Sequence, residues 1–212
     1  MGSVAVYILA MPPAPPVPPK VLVVCGSSRH DGNLEQVVAV AAGAARAAGA
    51  EVRELLLHQV QLPVMIWGDV EQAARPDVQQ IREQAEWADG FILGTPEYHG
   101  SMSGALKNWF DFLYGELAGK FAAVVATTGG GTGDMSITGV KTCFQWCHGF
   151  VLPFHAAAPA SAFAGIDLVD PRVIDRVQRI GYDVARYAPL LRAEFERARI
   201  IEGPEGGVAG LH

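Results

Sequence analysis

The chain has 212 residues, of which 50% are hydrophobic and 18% are charged, so it can build one large core. Lys and Arg number 16 against 22 Asp and Glu, giving a net charge of −6, and no basic run occurs. We therefore expect neither nucleic acid nor a membrane as a partner. The three cysteines form no disulfide framework, and we expect a cytoplasmic protein.

Residues 1–19 are expected to form an arm outside the core domain. Residues 2–11 are mildly apolar but too few to span a bilayer, and no basic n-region or cleavage site marks a signal peptide. Residues 12–19 are rich in proline, which favours an extended polyproline II spacer. One hypothesis is that residues 4–9 pack on a neighbouring subunit.

From residue 20 onward, strand-like and helix-like segments alternate, which predicts one doubly wound α/β domain over residues 20–201. We predict strands at residues 21–25, 51–57, 90–94, 121–127 and 151–157. We predict helices at residues 34–48, 76–87, 103–114, 135–149 and 171–199. In the last helix Asp170 is the expected N-cap, and Pro189 is expected to kink or divide it. Residues 202–212 are expected to form a flexible tail.

The first loop, residues 26–33, joins an apolar strand to a helix and has the sequence Gly-Ser-Ser-Arg-His-Asp-Gly-Asn. Small residues at a helix N-terminus gather free backbone N–H groups, and the helix end favours an anion. Ser27 and Asn33 add side-chain donors, and Arg29 adds a planar cation that suits phosphate. The loop has neither a dinucleotide-binding nor a P-loop pattern. It predicts a phosphate-bearing ligand, the alternative being an ordinary polar turn with a helix cap.

The second loop, residues 95–103, follows the third predicted strand. With strand order 2-1-3-4-5, ligands bind in the crevice between strands one and three, where the first and second loops meet. Pro96 removes a donor, Gly100 permits unusual backbone angles, and Tyr98 offers an aromatic face. Such a loop can lie along the edge of a planar ring.

The third loop, residues 127–133, follows the fourth predicted strand and contains four glycines. Ordering so many glycines costs entropy, and close approach of the backbone to a ligand is the usual reason for them. The alternative is a mobile surface loop.

These segments resemble the NADPH-dependent FMN reductase family of flavodoxin-like proteins, which includes quinone, azo-dye and chromate reductases. The resemblance covers roughly residues 20–160 and rests on the three loops together with Gly104, Leu106, Lys107 and Asn108. It implies FMN as cofactor, with its phosphate held by Ser27, Arg29, Asn33 and the amide of Leu34. It places the isoalloxazine ring along Pro96, Glu97, Tyr98 and His99, with Thr127, Thr128, Gly129 and Gly130 near the pyrimidine edge.

The resemblance implies a flavodoxin-like five-stranded parallel sheet in the order 2-1-3-4-5, with helices on both faces. It also implies hydride transfer from NADPH or NADH to bound FMN, and then to a small-molecule electron acceptor such as a quinone, a flavin or an azo compound. The flavin carries the chemistry, so no side-chain nucleophile is needed. His99 is either a proton donor or a structural loop residue. Family members are usually oligomers, so we expect a homodimer or homotetramer.

Three positions depart from the family pattern. His99 replaces the usual Asn, Leu34 stands where a hydroxyl is common, and Ser103 replaces a frequent Pro, which is expected to loosen the second loop. Two other functions stay open at this point: an electron carrier of the flavodoxin type without its own nicotinamide site, and a regulatory module that has lost FMN.

Other residues with chemical potential are expected in the core or at the pocket. Cys143, Cys147 and His148 have a spacing that can be drawn as metal ligands, but core-helix positions are favoured, and no metal site is predicted. Trp67 and Trp146 are candidates for the wall of a substrate pocket.

Overall fold

The computed structural model describes residues 17–212, so most of the predicted N-terminal arm, including residues 4–9, lies outside the described residues. The strands are β1 (Lys20–Cys25), β2 (Glu51–Leu56), β3 (Gly90–Pro96), β4 (Phe121–Thr128), β5 (Phe150–Val151), β6 (Ala156–Pro159), β7 (Phe163–Ala164) and β8 (Asp167–Leu168). The helices are α1 (Asn33–Ala47), α2 (Val70–Ala73), α3 (Pro76–Trp87), α4 (Gly104–Asp111), α5 (Asp134–Trp146) and α6 (Pro171–Arg199).

The central sheet has the order β2-β1-β3-β4-β5, and all of its described pairings are parallel. This confirms the predicted flavodoxin-like order. Alternate side chains of β1, β3 and β4 are buried on opposite faces. One face packs against α1 and α6, and the other against α3, α4 and α5. Strands buried on both faces explain why these segments are continuous apolar runs.

The fifth strand position differs from the prediction because it is split. Both β5 and β6 pair with β4, and residues 152–155 interrupt them. Pro153 lies in this gap, where it has no N–H to donate to a ladder. The short antiparallel pair of β7 and β8 was not predicted from the sequence.

Helix α6 begins as predicted, since the Asp170 carboxylate accepts hydrogen bonds from the amides of Arg172 and Val173. Of the two outcomes predicted at Pro189, a kink or a division, the division does not occur, because α6 continues to Arg199. The buried residues Ala188 and Phe195 hold it against the rest of the domain on both sides of the proline.

The segment expected to be a flexible tail is folded in the structure. Residues Pro204–Leu211 form 3-10 turns, and Ala209 is buried against Phe195. The Arg199 guanidinium donates to the carbonyl of His212 at 2.8 Å. Within residues 17–212, no helix has the length and apolar character needed to cross a bilayer.

Helices α1 and α6 approach each other closely at Gly181. A Cβ atom there would lie 2.3 Å from the Ala41 carbonyl oxygen and 2.7 Å from the Ala44 Cβ, so only glycine fits without movement. Gly43, on the exposed side of α1, has open space where a Cβ would stand.

These two helical glycines should respond to alanine in opposite ways. Gly43→Ala should raise the free energy of unfolding by about 0.5–1 kcal/mol, because alanine is the better helix former. Gly181→Ala should lower it by about 1–3 kcal/mol, because overpacking outweighs the same propensity gain. Urea denaturation of both variants at equal FMN concentration measures the difference. Stabilisation by Gly181→Ala would show that the helices separate easily.

Lys120, the residue just before β4, is a lysine buried in the fold, with 2% of its surface exposed. Its ammonium group donates to the carbonyls of Ala85 and Glu86 near the C-terminal end of α3. Burial, with a smaller contribution from Arg192, lowers the pKa of Lys120 to about 7. This pKa lies far below the ordinary value of a lysine, about 10.4.

The Lys120 pKa predicts a pH-dependent stability. Above pH 7 the unfolded chain holds this proton while the folded chain releases it, so the free energy of unfolding should rise with pH, by up to about 1.4 kcal/mol per unit. Lys120→Met should flatten that slope. Denaturation of both proteins between pH 7 and 8.5 measures it, and because both carry the same three cysteines, thiol ionisation cancels in the difference between their slopes. Equal slopes would mean that Lys120 stays charged in the fold.

Candidate functional site

The three loops meet at one edge of the sheet and are hydrogen-bonded to one another. They follow β1, β3 and β4, which are neighbours in the sheet. The Gly26 amide donates to the Gly94 carbonyl at 2.9 Å, and the Glu97 amide donates to the Thr127 carbonyl at 2.8 Å. The Ser103 hydroxyl donates to the Gly26 carbonyl at 2.5 Å. The convergence predicted from strand order is therefore present in the fold.

The first loop offers backbone donors beside an exposed cation. Helix α1 begins at Asn33, its N-cap is Gly32, and none of the described side chains caps the first turn. The Glu35 amide donates to the Gly32 carbonyl at 3.0 Å, and the amides of Asn33 and Leu34 before it are suited to donate to an anion. Arg29 is exposed beside them. The buried Ser27 hydroxyl accepts the Arg29 amide at 3.0 Å, so this side chain also shapes the loop.

Gly26 is required by close packing rather than by an unusual backbone angle. A Cβ atom at this position would lie 2.6 Å from the Gly94 carbonyl oxygen and 2.9 Å from the Leu106 Cβ. The first loop is thus pressed against both β3 and α4. Leu106 belongs to the family-like motif, and its side chain packs against Gly26 of the first loop.

The second loop contains a tight turn at residues 98–101, and the tip of this turn is exposed. Tyr98 and Ser101 exchange two backbone hydrogen bonds of 2.9 Å, while His99 and Gly100 have φ angles of 52° and 72°. These features define a type I′ turn, which requires two residues with positive φ. Asn is the usual residue at the position of His99, and His is one of the few others that tolerate it.

The other side chains of the second loop fasten it in place. The Glu97 carboxylate accepts the Ser136 amide at 3.4 Å in the first turn of α5, where the helix end favours a negative charge. The expectation that Ser103 loosens the loop is wrong. Ser103 accepts the Leu106 amide as the N-cap of α4, and its own amide donates to the Thr95 hydroxyl at 3.0 Å, a bond that proline cannot make.

The third loop exposes backbone atoms, without covering side chains, next to the second loop. The Thr128 hydroxyl donates to the Gly131 carbonyl at 2.7 Å and folds the loop back on itself. Gly129 and Gly130 are exposed, and nothing lies within 4 Å of where their Cβ atoms would stand. A flat group can approach backbone atoms here without meeting side chains.

Asn108 belongs to the family-like motif, but its side chain makes hydrogen bonds to a segment outside the three loops. Its side-chain oxygen accepts the Met65 amide at 3.0 Å, and its nitrogen donates to the Pro63 carbonyl at 2.8 Å. The residue therefore fixes the irregular segment between β2 and α2 against α4. Lys107 forms a surface ion pair with Asp111.

A cluster of three polar side chains next to the first loop, His30, Glu35 and His58, was not predicted from the sequence. The rings of His30 and His58 pack edge to face with centroids 4.2 Å apart. The His58 Nδ1 atom lies 3.6 Å from a carboxylate oxygen of Glu35, and neither atom has a hydrogen-bond partner among the described residues. More than twenty residues separate Glu35 from His58 in the sequence, so no local pattern indicated this contact.

The cysteines are not activated nucleophiles. Burial raises the pKa of Cys25 and of Cys147 to about 11, and it also raises the pKa of Cys143. Within residues 17–212, no group of three His, Cys, Asp or Glu residues is placed to hold a metal ion.

Taken together, the topology, the phosphate-type helix start and the bare third loop define a flavodoxin-like flavoprotein that fits FMN. The family model of NADPH-dependent FMN reductase matches residues 19–163. The chain is 27% identical over 195 residues to the NADPH-dependent FMN reductase ArsH of Shigella flexneri, covering 87% of this chain and 74% of that protein. It is 34% identical over 118 residues to the NADPH azoreductase of a Bacillus species, covering 55% and 63%.

A solved structure agrees in fold. FerB, a flavoenzyme NAD(P)H:(acceptor) oxidoreductase from Paracoccus denitrificans, superposes with a TM-score of 0.68 at 24% identity, covering 81% of this chain and 98% of FerB. The chain belongs to the NADPH-dependent FMN reductase family, and it is an FMN-dependent NAD(P)H oxidoreductase.

The turn geometry predicts how His99 can be replaced. His99→Asn should keep FMN affinity and the rate of reduction by NADPH within about twofold, because Asn suits a positive φ. His99→Val should lower the free energy of unfolding by about 1–3 kcal/mol, because a β-branched residue is strained there. Thermal denaturation and stopped-flow reduction measure both effects. A large loss of rate in His99→Asn with unchanged stability would assign the imidazole a chemical role.

Proposed function

We propose that this reductase passes electrons from NADPH or NADH, through FMN held by the three loops, to a small flat acceptor such as a quinone, a flavin or an azo compound. When bound, FMN supplies the two-electron chemistry. The supporting observation is the exposed backbone of Gly129 and Gly130 beside the exposed turn of residues 98–101, since it leaves room for a planar molecule.

In this proposal the first loop holds the FMN phosphate. Arg29 provides the charge, Asn33 provides side-chain polarity, and the amides at the start of α1, including that of Leu34, provide aligned donors. Ser27 contributes by shaping the loop around the Arg29 amide, in addition to any bond of its own to phosphate. The group would stand where α1 has no described cap.

The second and third loops would hold the ring through their backbones. Pro96, Glu97, Tyr98 and His99 lie on one side of the edge, and residues 127–130 lie on the other. The Glu97 and Thr128 side chains are occupied by Ser136 and Gly131. The Glu97 amide is also occupied, by the Thr127 carbonyl, so the exposed backbone of Gly129 and Gly130 is the part of these loops left to meet the ring. Fixed N–H groups near the pyrimidine edge would stabilise negative charge without reorganising.

Anaerobic stopped-flow mixing with NADPH, and separately with NADH, tests the reaction. A reductase loses the yellow absorbance of FMN rapidly and regains it when a quinone, a flavin or an azo dye is added. Slow bleaching by both nicotinamides, with fast exchange of electrons with a redox protein, would instead indicate a carrier of the flavodoxin type. A colourless protein that takes up no FMN on titration would reject both.

We also propose that the enzyme acts in the cytoplasm as a homodimer or homotetramer. The three free cysteines are consistent with a reducing compartment. Large apolar side chains are exposed on one side of the domain, including Trp67 and Trp146, and such surfaces favour association.

Arg29→Ala should weaken FMN binding by about 1.5–3 kcal/mol, the range for a hydrogen bond to a charged group. Titration of the FMN-free protein, followed by quenching of flavin fluorescence, measures this loss. Arg179→Ala is the matched control, because Arg179 is an exposed arginine on α6 paired with Asp175. Unchanged affinity in Arg29→Ala would remove this residue from the phosphate site.

A further inference from the structure

Met135 is an exposed apolar side chain at the cofactor edge of the sheet. It is the second residue of α5, directly after the third loop, and 71% of its surface is exposed. The next two residues, Ser136 and Ile137, are buried, so α5 turns this side toward the core and leaves Met135 outside it. Because single exposed apolar residues are ordinary on a protein surface, what distinguishes Met135 is its position.

Met135 lies where the second and third loops meet. Its sulfur and its methyl group are 3.3 and 3.4 Å from the place that a Cβ atom on Gly100 would occupy, so the thioether packs on the exposed turn of the second loop. The Glu97 carboxylate is 3.4 Å from the corresponding place at Gly131 and accepts the Ser136 amide at 3.4 Å. The two loops and the first turn of α5 therefore meet at one junction, and Met135 is an exposed side chain there.

A second methionine fastens the second loop to the same helix. Met102 is half-buried, and its methyl group lies 3.4 Å from where a Cβ on Gly139 would stand, one turn further along α5. Met102 thus packs between the loop and the helix, while Met135 extends from that helix toward solvent. A side chain on a fixed support loses little freedom on binding, so Met135 is a preorganised contact surface.

The tryptophans that the sequence suggested as a pocket wall lie elsewhere. Trp67 and Trp146 line a groove on the α3, α4 and α5 side of the domain, and this groove includes none of the residues of the three loops. Tyr98, in the turn of the second loop, is 42% exposed. A flat molecule that rests beside the third loop would therefore meet the side chains of Tyr98 and Met135.

The chemistry of the thioether suits an aromatic ring. Methionine sulfur is polarisable and makes favourable contacts with aromatic rings, and the unbranched side chain adjusts to surfaces of different shape. Adaptable methionine surfaces are typical of proteins that accept several ligands. A thioether at this junction can therefore contact flat molecules of different outline.

We propose that Met135 is a specificity-determining residue whose thioether packs against the ring of the electron acceptor and favours acceptors of large apolar area, such as two-ring quinones. The inference rests on the proposed function, in which the acceptor approaches FMN at the second and third loops. Met135 forms no bond with the acceptor and moves no proton. Its contact lowers KM for the acceptor, because an interaction made equally before and during the reaction acts on KM and not on kcat.

Steady-state kinetics of the FMN-loaded full chain tests the inference with NADPH and three acceptors: a two-ring naphthoquinone, a one-ring benzoquinone, and ferricyanide, which has no ring to pack. Met135→Ala should lower the ratio of kcat/KM for the naphthoquinone to kcat/KM for ferricyanide by about 10-fold, mainly through a higher KM for the quinone. The same ratio for the benzoquinone should fall less, because a smaller ring makes less contact.

Two further variants distinguish a lost contact from a disturbed fold. Met135→Leu keeps the apolar volume and should hold the naphthoquinone ratio within about threefold of the wild type. Leu190→Ala is the matched control, because Leu190 is an apolar residue of α6 with 65% of its surface exposed.

The outcomes separate this inference from the proposed function. An active wild type whose ratio Met135→Ala leaves unchanged would overturn the inference alone. Equal falls in Met135→Ala and Met135→Leu, or a fall that FMN absorbance traces to lost cofactor, would also overturn it, since the residue would then support the loops and not the acceptor. A wild type that reduces none of the three acceptors would overturn the proposed function together with the inference.

Discussion

The close approach of two glycines is the constraint on which the site depends. Gly26 and Gly94 are joined by a backbone hydrogen bond of 2.9 Å, and a Cβ on Gly26 would lie 2.6 Å from the Gly94 carbonyl oxygen. A Cβ on Gly94 would in turn lie 2.6 Å from a methyl of Val38. Because packed cores yield little, these two positions decide how near α1 and the first loop lie to β3. Any larger residue would separate the phosphate-type loop from the loops beside it.

Within that arrangement the polar side chains mostly hold the loops, and the loops present their backbones. Ser27 and Thr128 each bond backbone in their own loop, and Glu97 reaches the start of α5. The positive φ of this position explains why His99 can replace the family's usual Asn, since the turn needs a residue that accepts that angle. Ser103 is compatible with the fold because it exchanges the rigidity of proline for three hydrogen bonds.

The sequence was most informative where structure is local. The apolar runs that became β1, β3 and β4 and the proline-led start of α3 need no distant partner, and strand order then brings the three loops together. Predictions failed where distant contacts decide. Burial on both sides of Pro189 keeps α6 in one piece, and Phe195 holds Ala209 of the expected tail. The bonds of Asn108 reach back 43 and 45 residues, a distance that no periodicity reveals.

Helix α4 links the cofactor edge to the irregular segment between β2 and α2, which carries Trp67. Its N-cap, Ser103, bonds the first loop, and Leu106 packs beneath Gly26. Less than two turns later, Asn108 holds the segment that carries Trp67. The helix has only eight residues, and Leu106, Trp109 and Phe110 pack its buried side closely against the core. The position of the segment that carries Trp67 and the position of the phosphate-type loop are therefore both fixed relative to the same short helix.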